Sequence, residues 1–441
     1  MDGLTDIAMN TVLLPNGVEL DIVPLGESDG KRVERVWMAE AWLAKRFYGE
    51  VAQLEHRESG EPYVSKDGKS FEVSISHSRK TLCMACCTKR LGGQMPLVGV
   101  DVEAVQERLY RLKDKYLSAS EQEGMELSLQ NLTICWCAKE AIYKIVGKRA
   151  GFMGEHIVLH TNEIDGEKPF TAYCDGQRFG LTPRFDLKDE VIVTATCLNV
   201  YRDMFRMEHE QGRHHLAVLL DPDKTPMDDL ERVGEYIQRG GVSLVLVGGS
   251  GYEADIEPFV QCLENYLVET PVVLFPGSPK QLTRCAEAML LLSLLSGRDA
   301  QYLVGQHVDA AQRLRREVME TISTGYILVD GGRQSSVERV SGTQPLCDRQ
   351  EIVDTAYAGA LLGMQAIYLE AGSGAKTPVD VETIKAVRSA IDLPLLVGGG
   401  IRTIEQMQGA FAAGADIVVI GNYFEQHPED IVAFGKAVDK Q

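Results

Sequence analysis

The stretch Tyr368–Ala375, YLEAGSGA, sets a carboxylate two residues ahead of Gly-Ser-Gly. Gly372, Ser373 and Gly374 suit an anion, because glycine lets backbone N–H groups approach an oxyanion closely. Glu370 would repel that same anion. Both serve one ligand only if it carries a phosphate for the amides and hydroxyls for the carboxylate. A carboxylate hydrogen-bonded to a hydroxyl also makes that oxygen a better nucleophile, so Glu370 is a candidate catalytic group. Gly399-Gly400 and Gly421-Asn422 extend the anion site, or simply serve tight turns.

Four more stretches carry chemistry-bearing residues. Asp221, in DPDK, and Ser250, in GGSG, offer hard oxygen ligands of the kind magnesium takes, one or two from protein and the rest from water and phosphate. Asp223 and Lys224 beside them also fit a capped surface turn. In GVDVE, strand alternation puts Asp101 and Glu103 on one face, which suits a magnesium ion or an exposed edge. In WCAKEAIYK, read as a helix, Glu140 and Lys144 share a face with Lys139 adjacent. Glu140 is then a third oxygen ligand and the lysines meet phosphates, or the helix is an ordinary salt-bridged one. Ser74-Ile-Ser-His77-Ser78 reads as a small polar turn able to bind phosphate.

Elements must position these groups. Apolar strand candidates are Leu216–Leu220, Leu244–Gly248, Val272–Pro276, Gln301–Gly305, Tyr326–Asp330, Ala366–Glu370, Leu393–Val397 and Ile417–Gly421. Helical patterns intervene, such as Val379–Ile391 and Thr403–Gly414. Parallel strands need such crossovers, and eight of them predict an α/β architecture, a (β/α)8 TIM barrel. A doubly wound open sheet is the alternative. Function in a barrel gathers where strands end, and that is where Asp221, Ser250, Glu370, Gly399 and Asn422 fall. The run Ala288–Gly297, AMLLLSLLSG, reads as a buried helix. Residues 1–203 have an irregular α+β pattern, residues 204–213 a polar helical linker, and residues 214–441 the barrel.

The chain has 441 residues, 44% hydrophobic and 25% charged, enough for two soluble domains. A net charge of −19 argues against general nucleic-acid binding. The N-terminus lacks a basic region followed by an apolar core, and no apolar run spans a bilayer, so a cytoplasmic setting without a transmembrane segment is expected. Cys83-Met-Ala-Cys86 has no second CxxC and sits in a short apolar run, so it reads as a buried strand with reduced thiols.

DPDK, GGS-G, FPG, YLEAGSG, VGGGIR and GN, in this order over about Arg213–Lys440, resemble the geranylgeranylglyceryl phosphate synthases. That resemblance implies transfer of a polyprenyl group from its diphosphate to sn-glycerol 1-phosphate. It implies magnesium at Asp221 and Ser250, and glycerol phosphate at Tyr368, Leu369, Glu370, Ala371, Gly372, Ser373, Gly374, Gly399, Gly400, Gly421 and Asn422. One branch of the family has lysine two positions before the aspartate. Leu219 stands there, which resembles the other, often oligomeric branch, so a homo-oligomer through the barrel is implied. Tyr252 and Phe259 are candidates for the floor of the prenyl pocket.

SISHS, GVDVE and WCAKEAIYK, over roughly Val33–Leu198, resemble 4′-phosphopantetheinyl transferases of the type built from two similar halves, a pseudo-dimer. The family moves phosphopantetheine from coenzyme A to a serine of an acyl or peptidyl carrier protein. By position, Asp101, Glu103 and Glu140 would bind magnesium, His77, Lys139 and Lys144 would contact coenzyme A phosphates, and Glu140 and Lys144 would assist catalysis. Arg35, Lys45 and Arg46 loosely match the family's N-terminal basic residues, and Gly60-Glu61-Pro62 replaces its GKP. The reading is a bifunctional enzyme. Its alternatives are a phosphosugar- or flavin-binding barrel and a non-catalytic carrier-docking module.

Overall fold

The computed structural model describes residues 10–14, 18–25, 51–57, 62–66, 69–87, 98–151, 154–175, 177–185, 189–249, 254–267, 270–283, 285–317 and 319–438, with isolated positions 40, 44 and 251. Backbone contacts divide the chain into two compact units that part between Asn199 and Val200.

In the second unit, eight parallel strands close on themselves. They are β12 (His215–Leu220), β13 (Leu244–Val247), β14 (Val272–Leu274), β15 (Ala288–Leu294), β16 (Glu320–Leu328), β17 (Ala366–Glu370), β18 (Leu395–Gly398) and β19 (Ile417–Ile420). Closure is direct, since β12 pairs in parallel with both β13 and β19, which excludes the open sheet. Alternation assigns the faces. Val218, Val245, Ile367 and Leu369 pack outward among the helices. Ala217, Leu246, Tyr368 and Val419 fill the barrel.

Two sequence expectations fail here for one reason. Ala288–Leu294 is the fourth strand, not a helix, and Gln301–Gly305 is a π-turn opening a helix, not a strand. A barrel strand is buried on both faces, so it reads as an unbroken apolar run without period. Leucines favour helix only where tertiary pairing does not overrule them. Here β15 pairs along its whole length with β16, from Ala288 opposite Glu320 to Leu294 opposite Tyr326. β16 accordingly starts six residues before the expected Tyr326.

The helix Val200–Glu210 overlaps residues 204–213, expected to be a helical linker, and belongs to the barrel unit. Its Tyr201, Met204 and Phe205 join the barrel's interior cluster. Helix N-termini leave backbone N–H groups unsatisfied. The buried Glu320 carboxylate answers that need by accepting from the Arg202 N–H at 2.8 Å.

The first unit holds two antiparallel sheets, in keeping with the two-halves expectation. One runs β1 (Asn10–Leu14), β2 (Val18–Pro24), β6 (Thr81–Cys87), β5 (Lys69–His77), β4 (Pro62–Lys66), β3 (Gln53–His56). The other runs β7 (Val98–Ala104), β11 (Glu190–Cys197), β10 (Gln177–Arg184), β9 (Phe170–Cys174), β8 (Ile157–Leu159). Val98, Val100 and Val102 of β7 share a core with Leu20, Val73 and Ala85 of the first sheet. Cys83 and Cys86 are buried in β6. Among the described residues, no helix is long and apolar enough to cross a membrane.

Burial pushes the Glu320 pKa up to about 8, against the pull of the backbone amides it caps. A carboxyl that binds its proton more tightly folded than unfolded stabilises the fold at low pH and loses that contribution as pH rises through its folded pKa. The wild-type melting temperature should therefore fall between about pH 5 and pH 8. Glu320→Gln should flatten that slope, as read by calorimetry across the range.

Candidate functional site

Alternation along β17 turns Tyr368 and Glu370 inward and Leu369 outward. Leu369 and Ala371 thus serve the packing of strand against helices, and their side chains do not line the cleft, contrary to the sequence expectation. Tyr368, Glu370, Gly372, Ser373, Gly374, Gly399, Gly400, Gly421 and Asn422 do line it, in one open cleft of about 800 Å³.

The glycines in this cleft are sterically required. Glu370 accepts the Gly372 N–H at 2.7 Å. A Cβ on Gly399, whose φ is +82°, would stand 2.4 Å from Glu370 Oε1. A Cβ on Gly372, φ +101°, would strike Ser335 at 2.7 Å. The loops after β17 and β19 are joined by Ser373, whose hydroxyl donates to Asn422 at 2.6 Å. Burial raises the Glu370 pKa, while the Tyr368 hydroxyl and the Gly372 N–H pull it back. That hydroxyl stands beside the carboxylate, but among the described residues no group meets it at hydrogen-bonding geometry. It is a buried donor that a ligand would satisfy.

Across the cleft stands Asp221, whose Oδ1 accepts the Asp223 N–H at 3.1 Å. Gly249 closes on it, since a Cβ there would be 2.4 Å from Asp221 Oδ1. Lys224 and Glu425 line the same wall. Ser250 lies outside the described residues. Glu425 was missed in the sequence, although it follows Gly421-Asn422 by one helical turn. Among the described residues no three His, Cys, Asp or Glu side chains converge. Asp221 with water and substrate phosphate still matches how magnesium is held.

An apolar groove of about 560 Å³ adjoins the cleft, lined by Phe275, Leu292, Leu294, Tyr302, Tyr326 and Val340 among others. Phe275 and Tyr326 line both. Their rings lie 5.5 and 5.3 Å from that of Tyr368. Phe259 is instead buried between helix and strands, so it is no part of the groove floor. Tyr252 is outside the described residues. Leu292, Leu294 and Tyr326 come from strands whose apolar runs give no sequence signal of which side faces a ligand.

In the first unit, the helix Leu129–Val146 lies directly on β7. Gly99 permits this, because a Cβ there would fall 1.9 Å from the Ala141 carbonyl oxygen. The close approach brings Lys144 to Asp101, with Nζ 3.0 Å from Oδ1 and 2.7 Å from the Val100 carbonyl. Glu140 feels both other carboxylates. Burial raises its pKa, Asp101 and Glu103 add to the rise, and Lys144 opposes it. Glu103 accepts from the Ala104 N–H and the Gln106 amide at 2.9 and 3.1 Å. Asp101 is buried, so the pair is not an exposed edge. A recess of about 640 Å³ beside Glu140 is walled by Tyr116, Trp136 and Tyr143.

Two expectations change in this unit. Ser74-Ile-Ser-His-Ser is mostly strand β5, and its serines stitch the sheets instead of facing a phosphate. Ser74 Oγ accepts the Val100 N–H at 2.9 Å, Ser76 donates to Asp101 at 2.8 Å and Ser78 donates to Glu190 at 2.5 Å. His77 is exposed at the strand's end. Lys139 is buried, its ammonium held by Glu121 at 3.1 Å and the Ile157 carbonyl at 2.9 Å. Those contacts make it a structural cation and not a phosphate ligand. Arg35, Lys45, Arg46, Gly60 and Glu61 lie outside the described residues.

The family model described as the PcrB family matches residues 206–438. The 4′-phosphopantetheinyl transferase superfamily model matches residues 97–197. A geranylgeranylglyceryl phosphate synthase of Spirosoma linguale is 46% identical over 224 residues, covering 49% of this chain and 88% of that protein. One from Pyrococcus abyssi is 38% identical over 221 residues, covering 49% and 87%. The crystal structure of (S)-3-O-geranylgeranylglyceryl phosphate synthase from Thermoplasma acidophilum, in complex with substrate sn-glycerol-1-phosphate, matches with a TM-score of 0.51 at 27% identity. It covers 54% of this chain and 98% of that one.

Gly99→Ala should separate helix from strand and destabilise the first unit by about 3 kcal/mol, the upper range for overpacking. All three tryptophans, Trp37, Trp42 and Trp136, precede residue 199. Tryptophan fluorescence during urea unfolding therefore isolates this effect, and an unchanged transition would contradict the close approach.

Proposed function

Because this chain belongs to the PcrB family through residues 206–438, we propose that its barrel transfers a geranylgeranyl-like polyprenyl group from its diphosphate to sn-glycerol 1-phosphate, forming an ether lipid precursor. The observation that carries this is the buried Glu370 carboxylate set beneath glycine loops. It offers an acceptor for glycerol hydroxyls directly beside amides suited to the phosphate. Asp221, with Ser250, would hold magnesium. When bound, that ion would supply charge neutralisation for the leaving diphosphate.

The chain's own residues do the rest. Gly372, Ser373, Gly374, Gly399, Gly400, Gly421 and Asn422 fix the phosphate. Glu370 orients the attacking hydroxyl and takes its proton as the new C–O bond forms and the bond to diphosphate breaks. The Tyr368 hydroxyl, buried beside Glu370, is available to the same glycerol group. The groove past Phe275 and Tyr326 takes the apolar chain and keeps water from the reacting carbon.

For residues 1–203 we propose transfer of 4′-phosphopantetheine from coenzyme A to a carrier-protein serine. Asp101, Glu103 and Glu140 would hold magnesium at the coenzyme A diphosphate, and Lys144 and His77 would meet its phosphates. Glu140, whose pKa burial raises, suits removal of the serine proton. The proposal assigns residues 214–441, with the Val200–Glu210 helix, to prenyl transfer, and both activities to the cytoplasm. It includes self-association of the barrel through the Arg349–Leu361 helix, which leaves Tyr357, Leu361 and the following Leu362 exposed.

Glu370→Gln should lower ether formation by about 100-fold with little change in melting temperature, and near-normal product by mass spectrometry would refute the role. Glu140→Gln should stop loading of an apo carrier protein from coenzyme A while ether formation continues. Loss of both activities in that variant would contradict separate sites.

A further inference from the structure

The proposed prenyl transfer brings a diphosphate to the wall of the cleft that holds Asp221, and the residues there supply a cation for it. Asp221, Lys224 and Glu425 all line the cleft. Lys224 Nζ lies 3.0 Å from Asp221 Oδ2 and 3.6 Å from Glu425 Oε1. One ammonium is thus shared by carboxylates that follow the first and the last barrel strands. Arg402 also lines the cleft, but its guanidinium donates to the carbonyls of Ala375, Lys376 and Gly400. Lys224 has three donors, of which Asp221 and Glu425 engage two, so one is left for a ligand in the cleft.

Two features suit this lysine to a phosphate ester. Its ammonium is seated in the cleft between two carboxylates, Asp221 and Glu425, which hold it at the wall. A divalent ion drawn to Asp221 would repel the ammonium. Glu425 gives the ammonium a second contact within the cleft, so it remains at the wall. Resting on the prenyl-transfer reading, we infer that Lys224 is a diphosphate-binding residue of this cleft and that Glu425 is a positioning residue that holds its ammonium there.

Steady-state kinetics with each substrate varied in turn, together with calorimetric titration of inorganic pyrophosphate, test this. Lys224→Met should raise KM for the polyprenyl diphosphate and weaken pyrophosphate binding by about tenfold, the worth of one charge-assisted hydrogen bond. KM for sn-glycerol 1-phosphate should stay within about twofold. Lys224→Arg should restore most of the loss, and Glu425→Gln should move the same two readouts by less. An unchanged pyrophosphate affinity in Lys224→Met, or an equal rise in both KM values, overturns the inference while ether formation still stands. A wild-type chain that makes no prenyl ether overturns the proposed function and this inference with it.

Discussion

The buried carboxylate of Glu370 is the constraint around which the barrel mouth is arranged. A buried charge must be met by donors or it is too costly to keep. The chain meets it with the Gly372 N–H at 2.7 Å, made possible by a loop that turns back over the strand end. That turn needs φ of +101° at Gly372, and the neighbouring strand's loop needs +82° at Gly399 to clear the same carboxylate. Side chains are thereby excluded from the space above Glu370, and backbone amides take their place. The opening puzzle of a carboxylate beside an anion cradle is resolved by this layering. The charge lies beneath the glycines, with the Gly372 amide turned onto it.

The first unit reaches its site by a different close approach. Among the described residues it uses no loop cradle. A helix is laid on a strand so tightly that Gly99 cannot be replaced without displacing the Ala141 carbonyl. The strand supplies Asp101 and Glu103, and the helix supplies Glu140 and Lys144. Their mutual influence on the Glu140 pKa is a consequence of that contact. The serines of β5 secure the strand from the other sheet, which explains why small hydroxyl residues are useful at Ser74 and Ser76 without any phosphate present.

What the sequence reveals follows from which residues bear a local signature. Glycines at forced φ, and carboxylates spaced by two or by a helical turn, announce themselves because few residue types tolerate those positions. YLEAGSG and VGGGIR therefore placed much of the cleft in advance. Strand β15 did not announce itself, since AMLLLSL buried on two faces has neither helical nor strand period. Lys139 and Lys144 look equivalent in WCAKEAIYK. Only the fold reveals that one is paired with Glu121 in the interior and the other with Asp101 near the surface. Glu425 reaches the cleft from beyond the last strand, about 200 residues from the Asp221 it faces, so no local pattern could join them.

The two units nonetheless converge on one electrostatic arrangement. In each, an aspartate holds a lysine ammonium at 3.0 Å, Asp101 with Lys144 and Asp221 with Lys224. In each, a glutamate from a separate element stands close enough for the aspartate to raise its pKa, Glu140 in one and Glu425 in the other. At the barrel wall two carboxylates and one ammonium leave one net negative charge, while in the first unit Glu103 adds a third carboxylate and makes that site more negative. A divalent cation at the barrel wall would leave it one unit positive, a balance that would suit a diphosphate. A site with three carboxylates and no lysine would hold the metal more tightly but repel the ester, and one with lysines alone would bind the ester without the ion that helps it leave. The likeness between the two units lies in an aspartate–lysine pair with a glutamate beside it, and not in backbone.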